Sequence, residues 1–214
     1  MLSQSVASEL REAISAGEFQ PGEQLSEVKA AERFHCSRNT LRESFTRLAA
    51  ERIVERIPNR GVFLATPDAD YIRDLFAARA AIEPAAVRWG AFADAPSLVT
   101  LTSSAFDYAA RGEHQEVSAI NQRFHRTLVA ALGSPTLNEQ MDNLLARMRL
   151  TFLLAIPRYP QLHADHIQGN ITLATLIADG KRLEAATLSH DSLMNTCEKI
   201  LACLLYTSDA ADER

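Results

Sequence analysis

The sequence predicts a mainly α protein in two parts: an N-terminal unit of three helices plus a β-hairpin wing, then an all-helical bundle of about six helices. Two observations carry this. Between Ala31 and Gly61 the chain reads AERFHCSRNTLRESFTRLAAERIVERIPNRG, in which a short helix pattern breaks at His35-Cys36, a second helix opens at Ser37 and a β-prone hairpin turns at Pro58-Asn59-Arg60-Gly61. Beyond Thr66-Pro67-Asp68 the strand signals stop and apolar residues recur at helical spacing.

The first helix runs from about Gln4 to Ala16, because Val6, Leu10 and Ile14 repeat every four residues and give it one apolar face. Gly17 ends it, and Gln20-Pro21-Gly22 is turn chemistry. A second helix starts after Ser26 and reaches Phe34, with Val28, Ala31 and Phe34 available for packing. Ser37 supplies the N-cap of the third. There Leu41, Ser44 and Leu48 share the inward face with Phe45 at its edge, while Arg38, Asn39, Arg42, Glu43 and Thr46 project the other way. Ile53-Val54 and Val62-Phe63-Leu64 are the short strands of the hairpin.

In the second part Tyr71, Leu75, Ala78 and Ile82 mark the first bundle helix, which Pro84 can kink. Further helices are expected at about 95–110, 114–132, 136–156, 160–179 and 181–204. Gly112, Gly133-Ser134-Pro135, Pro157 to Pro160 and Gly180 separate them. The domain plan is therefore 1–66, a linker at 67–69, a helical domain at 70–205, and a tail at 206–214 that leaves the apolar pattern and reads as frayed or foreign.

A hydrophobic content of 47% with 23% charged residues is ordinary for a globular protein. There is no long apolar run and no basic segment followed by an apolar one at the N-terminus, so neither a membrane span nor a secretory signal is expected. Cys36, Cys197 and Cys203 show no metal-type spacing and no even pairing, which suits the reducing cytoplasm. The net charge of −5 is unevenly spread. Residues 33–60 hold seven arginines against Glu43, Glu51 and Glu55, a net of +4, and residues 67–214 carry the acidic excess. One basic surface on an acidic body fits local contact with nucleic acid.

Arginine's planar fork can donate two parallel hydrogen bonds to guanine O6 and N7. Arg38 and Arg42 lie one turn apart on one helix face and can reach neighbouring base steps. Ser37, Asn39 and Thr40 can add hydrogen bonds at the helix N-terminus, where free N–H groups favour a phosphate. Arg60 at the wing tip can enter the minor groove or neutralise a phosphate, and Gly61 lets the main chain approach closely. The plain alternative is a solvated basic face, but a helix, a sharp turn and a wing in the right order argue for DNA reading.

The segments LREAISAGEFQPGEQLSE and AAERFHCSRNTLRESFTRLAAERIVERIPNRGVFL resemble the winged helix-turn-helix of the GntR family of bacterial transcription regulators. The family's commoner recognition helix has a proline where this chain has Thr40 or Leu41. The resemblance implies that Arg38 and Arg42 contact bases and that Arg60-Gly61 meets the wing-side groove. RAAIEPAA, NQRFHRTL and ITLATLIADGKRLEAATLSH are similar to the helical effector domain of the FadR-type branch, known as FCD. That implies effector binding and dimerisation in 70–205, a homodimer on a palindromic operator, and repression released by a small molecule.

Many members of that branch hold a divalent metal such as zinc through an Asp-x-x-x-His pair and two later histidines. By position the corresponding residues are Asn121, His125, Gln168 and His190. Asn121 lacks the carboxylate and Gln168 the imidazole, so if a metal binds, His125 and His190 are its main ligands, with Asn121 beside them. The other reading is a set of satisfied buried polar groups around an organic ligand. Arg79 and Glu83 are one turn apart on the first bundle helix. In the family the arginine faces the cavity and can pair with a ligand carboxylate, which implies a small organic acid as effector. The plain alternative is a surface ion pair.

Two rival functions remain. One is a helical metal-dependent hydrolase using His125 and His190; the other is a non-catalytic ligand-binding or assembly module. Against the enzyme, the chain has no nucleophile elbow, no phosphate loop and no His-Glu-x-x-His run.

Overall fold

A computed structural model describes residues 2–205, and the tail at 206–214 lies outside them. Along the chain the elements are α1 (Leu2–Ser15), β1 (Gln24–Leu25), α2 (Glu27–Arg33), α3 (Arg38–Ala50), β2 (Val54–Ile57), β3 (Gly61–Leu64), α4 (Ala69–Trp89), α5 (Ala95–Ala110), α6 (His114–Ala130), α7 (Pro135–Ala155), α8 (Leu162–Ala178) and α9 (Arg182–Leu205). They group into two compact units. The first comprises the residues up to Asp68 with Asp142–Leu154 of α7; the second comprises Ala69–Met141 and the residues from Ala155 on. Periodicity shows that α7 has an apolar face and does not show how its residues group with those of other elements.

In the first unit α1 packs on α3. Val6, Ala7, Leu10, Ala13 and Ile14 of α1 are buried, as are Leu41, Ser44, Phe45 and Leu48 of α3. Phe45 is not at the edge of that face: it is 0% exposed and among the largest fully buried side chains. Ser44 stays in the core because its hydroxyl donates to the carbonyls of Ser3, 2.8 Å away, and Thr40, 2.9 Å away. Arg11 adds a clamp, its Nη2 donating to the Glu51 carboxylate at 2.7 Å across the two helices.

Both caps form where the serines predict them. Ser26 accepts the Lys29 N–H ahead of α2, and Ser37 accepts the Thr40 N–H ahead of α3. The tight turn between the two helices passes through His35 at φ 48. The wing is a three-stranded antiparallel sheet in the order β1-β3-β2, with Leu25 opposite Val62 and Arg56 opposite Val62 on the other side. The sequence reading held only the hairpin; β1 is two residues long, too short to show alternation.

The second unit joins α4 to α9 and sets α5 against α6 and α8. Val87, Leu98, Phe124, Leu128, Leu173, Ala174, Ile177 and Ala185 form its core. Helix α4 runs unbroken through Pro84. Its buried stripe is Tyr71, Ile72, Leu75, Phe76, Arg79, Glu83, Ala86 and Val87, so a charged pair occupies places where Ala78 and Ile82 were expected. Ala78 and Ile82 are half-buried.

Phe45→Ala should remove about 3–5 kcal/mol of stability, read from the urea transition of the first unit. A loss below about 1 kcal/mol would return Phe45 to the edge of the helix.

Candidate nucleic-acid interface and the polar core of the helical unit

Because α3 buries one face, only its opposite face is open to a partner. Arg38, Asn39, Arg42, Glu43 and Thr46 are all exposed there. At the N-terminal end the Ser37 and Thr40 hydroxyls lie 2.8 Å apart, and Asn39 Nδ2 donates to Glu43 Oε1 at 3.1 Å. Arg42 is held from two neighbouring elements. Its Nε donates to both Glu27 oxygens at 3.1 Å, and its Nη2 lies 2.9 Å from Glu27 Oε2. From β2, Arg56 Nη2 donates to the Arg42 carbonyl at 2.7 Å and to Thr46 Oγ1 at 2.9 Å. The hydrogen bond from Arg42 holds the Glu27 carboxyl below its ordinary range against the opposing effect of burial, and the charges of Arg42, Arg38 and Arg56 add to the lowering. The same bond raises Arg42.

On the wing, the Arg60 guanidinium lies over the Phe63 ring, 5.5 Å from its centroid, and Gln24 Nε2 donates to the Arg60 carbonyl at 2.7 Å. Gly61 has φ 111, and a Cβ there would come within 3.2 Å of Gln24 Nε2. The position therefore favours glycine for its backbone, while the near contact is with the movable end of the Gln24 side chain. Ser37, Arg38, Asn39, Thr40 and Arg42 thus share the N-terminal half of α3, and Arg60 and Gly61 share the wing tip. Sequence reasoning missed Glu27 and Arg56. They lie 15 and 14 residues from Arg42, with no local spacing to couple them.

The helical unit has a charged interior. Arg79 is 2% and Glu83 0% exposed, and Arg79 Nε donates to Glu83 Oε1 at 2.6 Å. The pair that could have been a surface bridge is a core one. His125 Nδ1 sits 2.6 Å from the other oxygen, Glu83 Oε2, joining α6 to α4. One turn back on α6, Asn121 Oδ1 accepts from Asn170 Nδ2 of α8 at 2.7 Å. Beside it lies a cavity of about 10 Å³, lined among others by Thr102, Val117, Asn121, His166 and Asn170. That is room for one water. Burial pushes the Glu83 carboxyl up, but the Arg79 and His125 charges and their hydrogen bonds outweigh it and leave it at about 2.

The four-residue set expected from the sequence does not converge. Asn121 and His125 are buried, whereas Gln168 and His190 are exposed, and His190 Nδ1 lies 3.1 Å from its neighbour Asp191. On α9 the buried line runs through Ala185, Ser189, Leu193 and Cys197, one position away from His190. Among the described residues no group of three or more His, Cys, Asp or Glu is placed to hold a metal ion. A divalent cation at His125 would find Asn121 beside it but neither His190 nor a second imidazole from Gln168, so the residues as placed do not fit one.

Glu83 ties acid stability to this cluster. Its carboxyl titrates near 4.5 when unperturbed and near 2 in the fold, so its contribution is complete above about pH 5 and is lost as pH falls toward 2. Wild type should lose up to about 3 kcal/mol more than Glu83→Gln over that window. Parallel pH profiles of the two proteins in urea titrations would remove the role given to Glu83.

Comparison with known proteins extends these observations. Residues 2–64 match the bacterial regulatory proteins of the gntR family, and residues 74–194 match the FCD domain. The Nta operon transcriptional regulator of Aminobacter aminovorans is 26% identical over 205 residues, spanning 92% of this chain and 96% of its own. The galactonate operon transcriptional repressor of Escherichia coli is 28% identical over 160 residues, 64% of this chain and 69% of its own. A solved GntR regulator from Rhodococcus sp. RHA1 superposes with a TM-score of 0.79 at 29% identity, covering 94% of this chain and 97% of its own. The chain belongs to the GntR family of bacterial transcription regulators, in the branch that carries an FCD domain, and is a DNA-binding regulator of that kind.

Proposed function

We propose that this regulator is a cytoplasmic repressor that binds a palindromic operator as a homodimer and is released by a small organic acid held in the helical unit. The observation that carries the DNA half is the exposed pair Arg38 and Arg42, the second braced by Glu27, on a helix whose other face is core. In a dimer two such helices meet half-sites about one helical turn apart. Arg38 and Arg42 read base edges, Ser37, Asn39 and Thr40 engage phosphates, and Arg60 with Gly61 engages the wing-side groove.

The effector half rests on the polar line through the helical unit, from Arg79 and Glu83 to His125, Asn121 and Asn170. A small polar ligand displaces such internal pairs only by replacing them with matched ones. A guanidinium can serve two carboxylates by different edges, so the Glu83 pair is compatible with an acid at Arg79. Gln168 and His190 join this effector set only if the acid or a dimer partner draws them inward. The galactonate repressor among the relatives favours a sugar acid. The acid changes DNA affinity to the extent that it prefers one arrangement of the two DNA-binding units over another.

Arg38→Ala or Arg42→Ala should each weaken operator binding by about 1–3 kcal/mol in gel shifts at fixed salt. Unchanged binding by both would end the assigned readout. Calorimetry should detect galactonate or a related aldonate, with binding weakened in Arg79→Lys. Tight binding of a neutral or cationic compound with none of any carboxylate would overturn the acid. Sedimentation of the free protein as a monomer at micromolar concentration would overturn the dimer.

A further inference from the structure

We infer that Glu27 is a positioning residue for base reading: its carboxylate takes the Nε edge of Arg42 so that the opposite edge of the guanidinium is presented end-on to a guanine. Three distances carry this. Arg42 Nε is 3.1 Å from each Glu27 oxygen, and Nη2 is 2.9 Å from Oε2. A guanidinium has five N–H groups in a rigid fork. With Nε–H donated to the carboxylate and Nη2 held 2.9 Å from Oε2 as an ion pair, the Nη1 side and the outward N–H of Nη2 face away from Glu27, and these are the pair of parallel donors that guanine O6 and N7 accept.

The placement is not explained by stability. The Arg42 and Glu27 side chains are 63% and 34% exposed, and an ion pair so exposed contributes little to folding. Its effect is on order. Arg42 is a long side chain on the reading face, and without a brace it samples several rotamers that binding must freeze. Glu27 fixes the head of the side chain from α2. Arg56 grips the Arg42 carbonyl and the Thr46 hydroxyl from β2, fixing the turn of α3 from which the side chain leaves. Glu27 also faces the charges of Arg38 and Arg56 as well as Arg42, so it offsets repulsion among three arginines on one surface.

This combination gives an effect that loss of folding would not. Removing the carboxylate takes a negative charge away from a phosphate-facing surface, so sequence-independent binding holds or strengthens. At the same time the freed Arg42 discriminates less well among bases.

The inference rests on Arg42 reading a base, and the experiment separates the two. The wild-type full chain selects its operator from a pool of randomised duplexes. Wild type, Glu27→Gln, Glu27→Asp, Arg42→Ala and the Glu27→Gln/Arg42→Ala double variant are then measured at one salt concentration. The targets are the selected duplex, each single base-pair variant of one half-site, and an unrelated duplex. Glu27→Gln should lose about tenfold in discrimination at the base pair that Arg42→Ala relaxes, with binding of the unrelated duplex undiminished. Glu27→Asp should recover part of it, and the double variant should discriminate no worse than Arg42→Ala. Wild-type discrimination by Glu27→Gln overturns the positioning role alone. A loss spread evenly over the half-site, together with weaker binding of the unrelated duplex, overturns it in favour of a structural role. Discrimination left intact by Arg42→Ala overturns the base-reading role of Arg42, and the positioning role falls with it.

Discussion

Helix α3 has to be part of a core on one side and a reading head on the other, and its own periodicity keeps the two apart. Leu41, Ser44, Phe45 and Leu48 fall on one face and are buried. Residues 38, 39, 42, 43 and 46 fall on the other and are exposed. Rigid packing against α1, reinforced by the Arg11–Glu51 clamp, fixes where the helix axis lies. The capping serine fixes where the helix begins, and so which residues stand at its N-terminal end. The placement of Arg38 and Arg42 on one surface follows from these constraints. The brace on Arg42 from α2 and β2 then orients the side chain within that surface.

The helical unit resolves a similar conflict by a different route. A buried carboxylate is costly unless it is paired. Glu83 is satisfied by a guanidinium from its own helix and an imidazole from α6. The cluster therefore fixes α4 against α6 while keeping polar groups in the middle of an apolar bundle. Asn121 and Asn170 do the same between α6 and α8. An apolar core would serve packing as well. Keeping these groups is understandable if the interior also has to recognise something polar. The residues that the family resemblance brought together for a metal do not all take part: position along a helix turns His190 and Gln168 outward here.

Much of the fold was legible in the chain because its signals are local. Val6, Leu10 and Ile14 mark the buried face of α1, and Ser26 and Ser37 mark two helix starts; these need only a few residues of context. The glycines at 112, 133 and 180 punctuate the bundle for the same reason, all with positive φ. β1 was not legible, since two residues have no period. Nor was the burial of Phe45, because a helix edge becomes core only when a second element covers it.

The sequence by itself determined the order of the helices and of the hairpin, the basic face of α3, the wing tip at Arg60-Gly61 and the candidate polar residues of the bundle. Each depends on the spacing of side chains along a helix or turn, which the backbone geometry sets. Only the tertiary structure decided that Glu27 and Arg56 serve Arg42, that Arg79–Glu83 is buried and shared with His125, and that His190 faces outward. Those outcomes depend on which elements pack together over 14 to 42 residues of separation. No local pattern encodes such a pairing, because the energy that selects it comes from burial and charge in the assembled fold.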